Sequence, residues 1–228
     1  MKQAIEFSHN IQNFLHVGSR RKSHTSYMIV VTDGSALVRL GKQEFLVTKG
    51  TGFWLPFDCL HALTVLPGTQ YDKVEFSARL TSPVCKDAGF FSVNALMNAL
   101  LTELRHEAKK NSPLSLDGPA GNLMRVIGDQ VAKLKVKTNS LCPSLRNDYC
   151  THLSLLLKGD RVTDKAALAA ISNIIGFSTN EFEACIIMRE ALKLSRSGRK
   201  LEQIADTLNT SKETIVALAR PILGQEIS

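Results

Sequence analysis

Three histidines, His16, His24 and His61, have the widest chemical range of any residues in this chain. Three imidazoles brought together can hold a catalytic metal ion, and a single neutral imidazole can donate or accept a hydrogen bond to a bound molecule. Tyr27 and Trp54 fall in the same stretch, and each joins a large apolar body to a polar tip. A second polar set lies near the C-terminus: Thr210, Ser211, Lys212 and Thr214 follow a basic turn holding Arg196, Arg199 and Lys200. These types suit phosphate and base-edge contacts; a solvated loop with cations near a helix C-terminus is the other reading of the basic turn. No nucleophile motif, phosphate-binding loop or dinucleotide fingerprint is present, so the chain is not expected to be an enzyme. Five cysteines (Cys59, Cys85, Cys142, Cys150, Cys185) are odd in number and form no CxxC pair. That argues against a disulfide framework or zinc knuckle, and for buried thiols in a reducing cytoplasm.

The elements that must position these residues change character along the chain. Residues 27–32 (YMIVVT), 36–40, 44–48, 52–55, 61–66 and 71–80 are short β-branched or alternating runs punctuated by Asp33-Gly34, Gly41-Lys42, Lys49-Gly50, Pro56 and Pro67-Gly68. Such strands at regular turn spacing predict a sandwich or barrel, whose interior can hold one ligand. His24, Tyr27, Trp54 and His61 are the candidate lining residues of that pocket. A core histidine or core tryptophan is the alternative for His61 and Trp54.

Near Ser82-Pro83 the period shifts from 2 to 3.6. Residues 92–109 are predicted as a helix capped by Ser92, with Leu96, Leu100 and Leu104 available either to a second copy or to the chain's own barrel. Residues 120–136 repeat the helical spacing, and Pro143 is placed to open a further run of helices. The domains expected are a sensor over 1–110 that includes the dimerisation helix, a linker with a helix over 111–142, and an all-α domain over 143–228.

Composition is that of a water-soluble globular protein, with 44% hydrophobic and 21% charged residues. No apolar run reaches the roughly 18 residues of a membrane span, and the N-terminus has no secretory signal pattern. The net charge of +7 suggests a polyanionic partner. Its distribution is uneven: residues 83–141 carry eight Lys/Arg against five Asp/Glu, whereas 142–228 carry eleven against ten.

The most specific pattern is 201–218 (LEQIADTLNTSKETIVAL). Ile204 and the small Ala205 sit mid-helix, Leu208 and Asn209 form the turn, and Ile215 and Leu218 return to the core, as two short helices crossing steeply require. The pattern recurs 33 residues earlier, where Leu168, Ile171, Ser172, Ile175, Gly176, Phe182 and Cys185 match in order. With these residues in place, the chain resembles the AraC-type transcriptional regulators. Residues 188–224 are similar to that family's C-terminal signature, 143–182 to its first helix-turn-helix unit, and 23–80, with Trp54-Leu55-Pro56…His61, to its cupin-like sensor.

The resemblance implies an α+β chain: a cupin-like β-barrel with helices, then an all-α tandem helix-turn-helix domain. It implies sequence-specific binding of double-stranded DNA under control of a small ligand or partner, and a homodimer through 92–109. The DNA-contacting set would be Thr210, Ser211, Lys212, Thr214, Arg196, Arg199 and Lys200, with Ser178, Thr179 and Asn180 from the first unit. No metal or other cofactor is implied, because the enzymatic cupin pattern of a paired His-x-His is replaced here by Ser23-His24-Thr25. Three departures stand out: 179–195 runs on without Gly or Pro, Glu181 and Glu183 sit where phosphates would approach, and Asn209 replaces a turn glycine. They support the alternative of a member that regulates through protein contacts without binding DNA.

Overall fold

A computed structural model describes residues 3–80, 84–111 and 113–227. Ser82-Pro83, where the hydrophobic period was expected to change, lies outside the described residues. Two antiparallel five-stranded sheets make up the N-terminal half. The first has the order β1-β9-β4-β7-β10, from β1 (Ile5–Gln12), β9 (Thr69–Ser77), β4 (Thr25–Asp33), β7 (Thr51–Leu55) and β10 (Gly89–Ser92). The second runs β2-β8-β5-β6, from β2 (His16–Val17), β8 (Leu60–Val65), β5 (Ser35–Leu40) and β6 (Gln43–Thr48), with β3 (Arg21–Lys22) also pairing with β8. Seven helices complete the chain: α1 (Ala95–Lys110), α2 (Pro119–Ala132), α3 (Asn147–Lys158), α4 (Lys165–Ile175), α5 (Thr179–Arg196), α6 (Leu201–Thr207) and α7 (Lys212–Leu223).

The strands stack into layers because most carry apolar residues at both parities, so that both faces can be buried. Tyr27, Ile29 and Val31 of β4 point between the sheets with Val38, Phe45 and Phe53. Met28 and Val30, one residue out of step, face the other way into a core with Leu101 and Leu104 of α1 and Met124 and Ile127 of α2. On the second sheet Leu37 and Leu46 take the outer parity and pack against Leu153, Ile171 and Phe182 of the C-terminal helices. The order through the molecule is thus helices, sheet, sheet, helices, with a core at each of three interfaces.

The sheets do not close into a barrel, contrary to the expected closed form. The gap between β10 and β6 is crossed by the connecting segment: Phe90 and Lys137 exchange backbone hydrogen bonds of 2.9 and 2.8 Å, and Leu46 N–H donates to the Leu141 carbonyl at 2.8 Å. Gly89 makes the first contact feasible, since a Cβ there would lie 2.7 Å from the Lys137 carbonyl oxygen.

Other expectations shift by a few residues. The cap of α1 is Asn94, whose side chain accepts from Met97 N–H, in place of Ser92, which ends β10. The second helix stops at Ala132; Lys133 turns out of it, and the residues from there to Val136 belong to neither helix nor strand. Pro143 does not open a helix; α3 begins at Asn147. Leu100 and Leu104 are 7% and 0% exposed against the chain's own core, so they offer no dimer surface; only Leu96, at 47%, remains accessible. Among the described residues no helix is long and apolar enough to cross a membrane.

Candidate functional sites: a sensor cavity and a free helix

A cavity of about 560 Å³ opens where β2, β3, β8 and β9 meet the end of α5. His24, Tyr27 and His61 all line it, and so does His16. Trp54 does not. Its neighbours Phe53 and Leu55 occupy the inner parity of β7, which turns the indole to the opposite face, where it is fully buried and donates Nε1–H to the Cys85 carbonyl at 2.8 Å.

Tyr27 and His61 form a linked pair deep in the cavity. The Nδ1 of His61 lies 2.9 Å from the Cys59 carbonyl, which can only accept, so Nδ1 carries the proton and Nε2 accepts from the Tyr27 hydroxyl. Burial pushes the His61 pKa down and keeps the Tyr27 phenol protonated, both consistent with that neutral arrangement. Both nitrogens of His61 are thereby occupied. Among the described residues, no group of His, Cys, Asp and Glu is arranged to hold a metal ion.

The cavity is cationic. Arg21, Lys22, Lys73 and Arg196 line it, and the only carboxylate among its lining residues is Glu75. Glu75 is matched by Lys73 at 3.0 Å, and the same ammonium sits 4.7 Å from the centre of the Tyr27 ring. Burial, then Arg196 and Arg21, hold the His16 pKa down. Arg196 was expected to clamp phosphate, but here its guanidinium donates to the Val17 carbonyl at 2.7 Å and forms part of the cavity wall. The basic residues were not foreseen as lining residues, although period 2 in β9 puts Tyr71, Lys73 and Glu75 on one face.

The second candidate site is α7. Asn209 takes the left-handed conformation, φ 50°, between α6 and α7, and Ala205 is 4% exposed beneath Ile215 and Ala219. Ser211 caps α7 by accepting from Thr214 N–H at 3.0 Å. The outward face then presents Lys212, Glu213, Thr214, Val216, Ala217 and Arg220, all exposed. Its charge is partly cancelled: Lys212 Nζ reaches Glu202 Oε1 at 2.5 Å. Arg199 donates to Thr207 Oγ1 at 3.1 Å, and Lys200 is exposed.

The first helix pair differs. Gly176 ends α4 with φ 80°, and Ser178 and Glu181 cap α5 reciprocally, so Glu181 is engaged in the cap. Beyond its exposed start, with Ser178, Asn180 and Glu183 outward and Thr179 half-buried, α5 continues unbroken to Arg196 with Cys185, Ile186, Met188 and Arg189 buried. One continuous helix thus serves as both the outer helix of the first pair and the link to the second.

Residues 12–115 match the family model of the AraC-like ligand binding domain. No curated protein sequence matches the chain. Among solved structures, apo ToxT K231A from Vibrio cholerae aligns at 13% identity over 99% of this chain and 96% of that one, with a TM-score of 0.42. The AraC-like transcriptional activator CuxR aligns at 12% identity over 96% of this chain and 79% of that one, with a TM-score of 0.45. The family match covers β2 to β10 and α1, and with them every lining residue of the cavity except Arg196. Over residues 12–115, a little under half of the chain, the protein is similar to an AraC-like ligand binding domain.

Proposed function

We propose that the protein is a transcription regulator whose α6–α7 pair binds double-stranded DNA and whose cavity takes a small anionic effector. The observation carrying the DNA assignment is the free outer face of α7, set at a steep crossing by Ala205 and Asn209 and bearing Lys212, Thr214 and Arg220. Thr210 and Ser211 stand at its N-terminus, where free backbone N–H groups favour a phosphate. Arg199 and Lys200 are near enough in sequence to add backbone contacts, whereas Arg196 belongs to the cavity. In the first pair only Ser178, Thr179 and Asn180 remain as contacts, so α7 is the principal reader.

Anisotropy of a labelled duplex at low and moderate salt tests this. Salt-sensitive binding lost in Lys212→Glu and strengthened several-fold in Glu202→Gln, which frees Lys212, supports the reading. No signal at low salt overturns it and favours the second reading, regulation through protein contacts, for which the Lys212–Glu202 pair and the unbroken α5 speak.

The anionic effector rests on the excess of Arg and Lys around a cavity with one carboxylate. Thermal shifts with a panel of carboxylates and the matching primary amides check it. A carboxylate at about a hundredfold its Kd should add about 2.7 kcal/mol of stability, and Arg21→Gln should remove most of that; amides that bind equally well overturn the charge assignment.

A further inference from the structure

The helical half is nearly neutral, with eleven Lys/Arg against ten Asp/Glu over 142–228, and the one lysine at the head of α7 is paired. A protein that holds a polyanion needs a positive surface elsewhere. Residues 133–137 (KLKVK) supply one. Leu134 and Val136 pack into the core beneath α1 and α2, and Lys133, Lys135 and Lys137 are all exposed on the opposite side. Among the described residues none of the three lysines forms an ion pair. The segment is held in place: Lys133 N–H and Leu134 N–H bond the end of α2, and Lys137 exchanges two backbone hydrogen bonds with Phe90. Lys133 sits in the turn that ends α2 (φ −104°, ψ 8°) and Lys137 in a β-bridge to Phe90, so the three lysines follow one another along a short exposed run anchored at both ends. Beside the stripe lies a cavity of about 350 Å³, lined by Lys135, Lys137, Asn139 and Ser92.

We infer that Lys133, Lys135 and Lys137 form a phosphate-contacting stripe for the backbone of a nucleic-acid duplex, on the sensor half of the molecule and separate from α7. A cluster of exposed, unpaired ammonium groups on an anchored backbone complements a polymer charged along its length. The lysine at the C-terminus of α2 has a local role in capping charge; Lys135 and Lys137 have none. The proposal rests on duplex binding as set out above, and it explains where the electrostatic part of that binding arises.

The test compares three full-length proteins on a random-sequence duplex by anisotropy between 50 and 200 mM salt: wild type, the triple variant Lys133→Gln/Lys135→Gln/Lys137→Gln, and the α7 variant Lys212→Glu/Val216→Glu. Each phosphate contact contributes about 0.9 to the salt slope. Removing three should cut the slope by about 2.7, so the wild type loses roughly 40-fold more affinity than the triple variant over that fourfold range. Matching far-UV circular dichroism melts confirm that the triple variant folds, as expected for exposed lysines. An unchanged slope in the triple variant, with binding lost in the α7 variant, overturns the stripe and leaves α7 standing. The reverse pattern upholds the stripe and overturns α7 as the reader. No duplex binding by the wild type, or binding only to phosphatidylglycerol vesicles, overturns the stripe's assignment to nucleic acid.

Discussion

At the residue level, Tyr27 and His61 show how a buried polar pair defines the sensor. The imidazole accepts a hydrogen bond from the Tyr27 hydroxyl at Nε2 and donates Nδ1–H to the Cys59 carbonyl, so every hydrogen-bonding capacity of the ring is used only while it is neutral. Protonation would place two donors against each other. Burial lowers the His61 pKa, and His16 is lowered by burial and by Arg196 and Arg21. A histidine depressed in the folded state is outcompeted for protons by the unfolded chain. Its contribution is therefore complete above the unfolded value of about 6.5 and is lost as pH falls toward the folded values. The melting temperature should be level from pH 8 to 7 and fall from pH 6.5 to 5, and His61→Gln should flatten part of that fall. An identical decline in His61→Gln and His16→Gln would show that other groups are responsible. Tyr27→Phe at pH 7.5 strands a buried acceptor and should cost about 1–3 kcal/mol by urea denaturation.

At the scale of elements, what was legible followed from periodicity and what was not followed from packing. Six strands and the helix pairs around Gly176 and Asn209 could be placed because their patterns are local: β-branched runs ending in Gly turns, and a small residue four positions before a left-handed one. Strand β1 escaped notice because IEFSHNIQ carries polar residues on a half-buried edge, and β10 because four residues hold no period. The orientation of Trp54 was open until the parity of β7 was known, and no local rule sets that parity; Met28 and Val30 set it across the sheet. The capping role of Glu181 was available in Ser178-Thr179-Asn180-Glu181, which has the capping-box spacing. The turn of the second pair allows a direct check. Asn209 sits at φ 50°, so Asn209→Ala should destabilise by about 1–2 kcal/mol while Asn209→Gly is close to neutral, measured by urea denaturation. Ala205→Leu overfills the crossing of α6 and α7 and should cost about 1–3 kcal/mol, with duplex affinity falling because α7 is displaced; unchanged affinity would detach α7 from that role.

For the whole molecule, the issue is whether the sensor and the helical half behave as one body. Leu15, Val17, Leu37, Leu46 and Leu66 from the sheets share a core with Leu153, Phe182, Met188 and Ile215 from the helices. Polar contacts cross the same boundary. Leu15 N–H donates to the Ile222 carbonyl at the end of α7 at 2.7 Å, and Arg196 donates to Val17. Arg189, 2% exposed within α5, reaches Glu44 of β6 at 2.8 Å, Glu190 at 2.9 Å and the Leu157 carbonyl at 3.2 Å. A buried guanidinium satisfied on three sides adds little net stability over a well-packed apolar residue, but removing it leaves Glu44 at the interface without its partner and a void in the shared core. The single tryptophan, buried in the sensor, reports one half by fluorescence, and the helices dominate ellipticity at 222 nm. In the wild type the two signals should trace one transition in urea. Arg189→Ala should lower stability by about 3–5 kcal/mol and separate the curves, the helical signal moving first because α5 loses its anchor while the sensor keeps the core under α1 and α2. Arg189→Met, which fills the volume, should restore coincidence. If the curves already diverge in the wild type, the shared core does not couple the halves, and occupancy of the cavity has no packed route to α7.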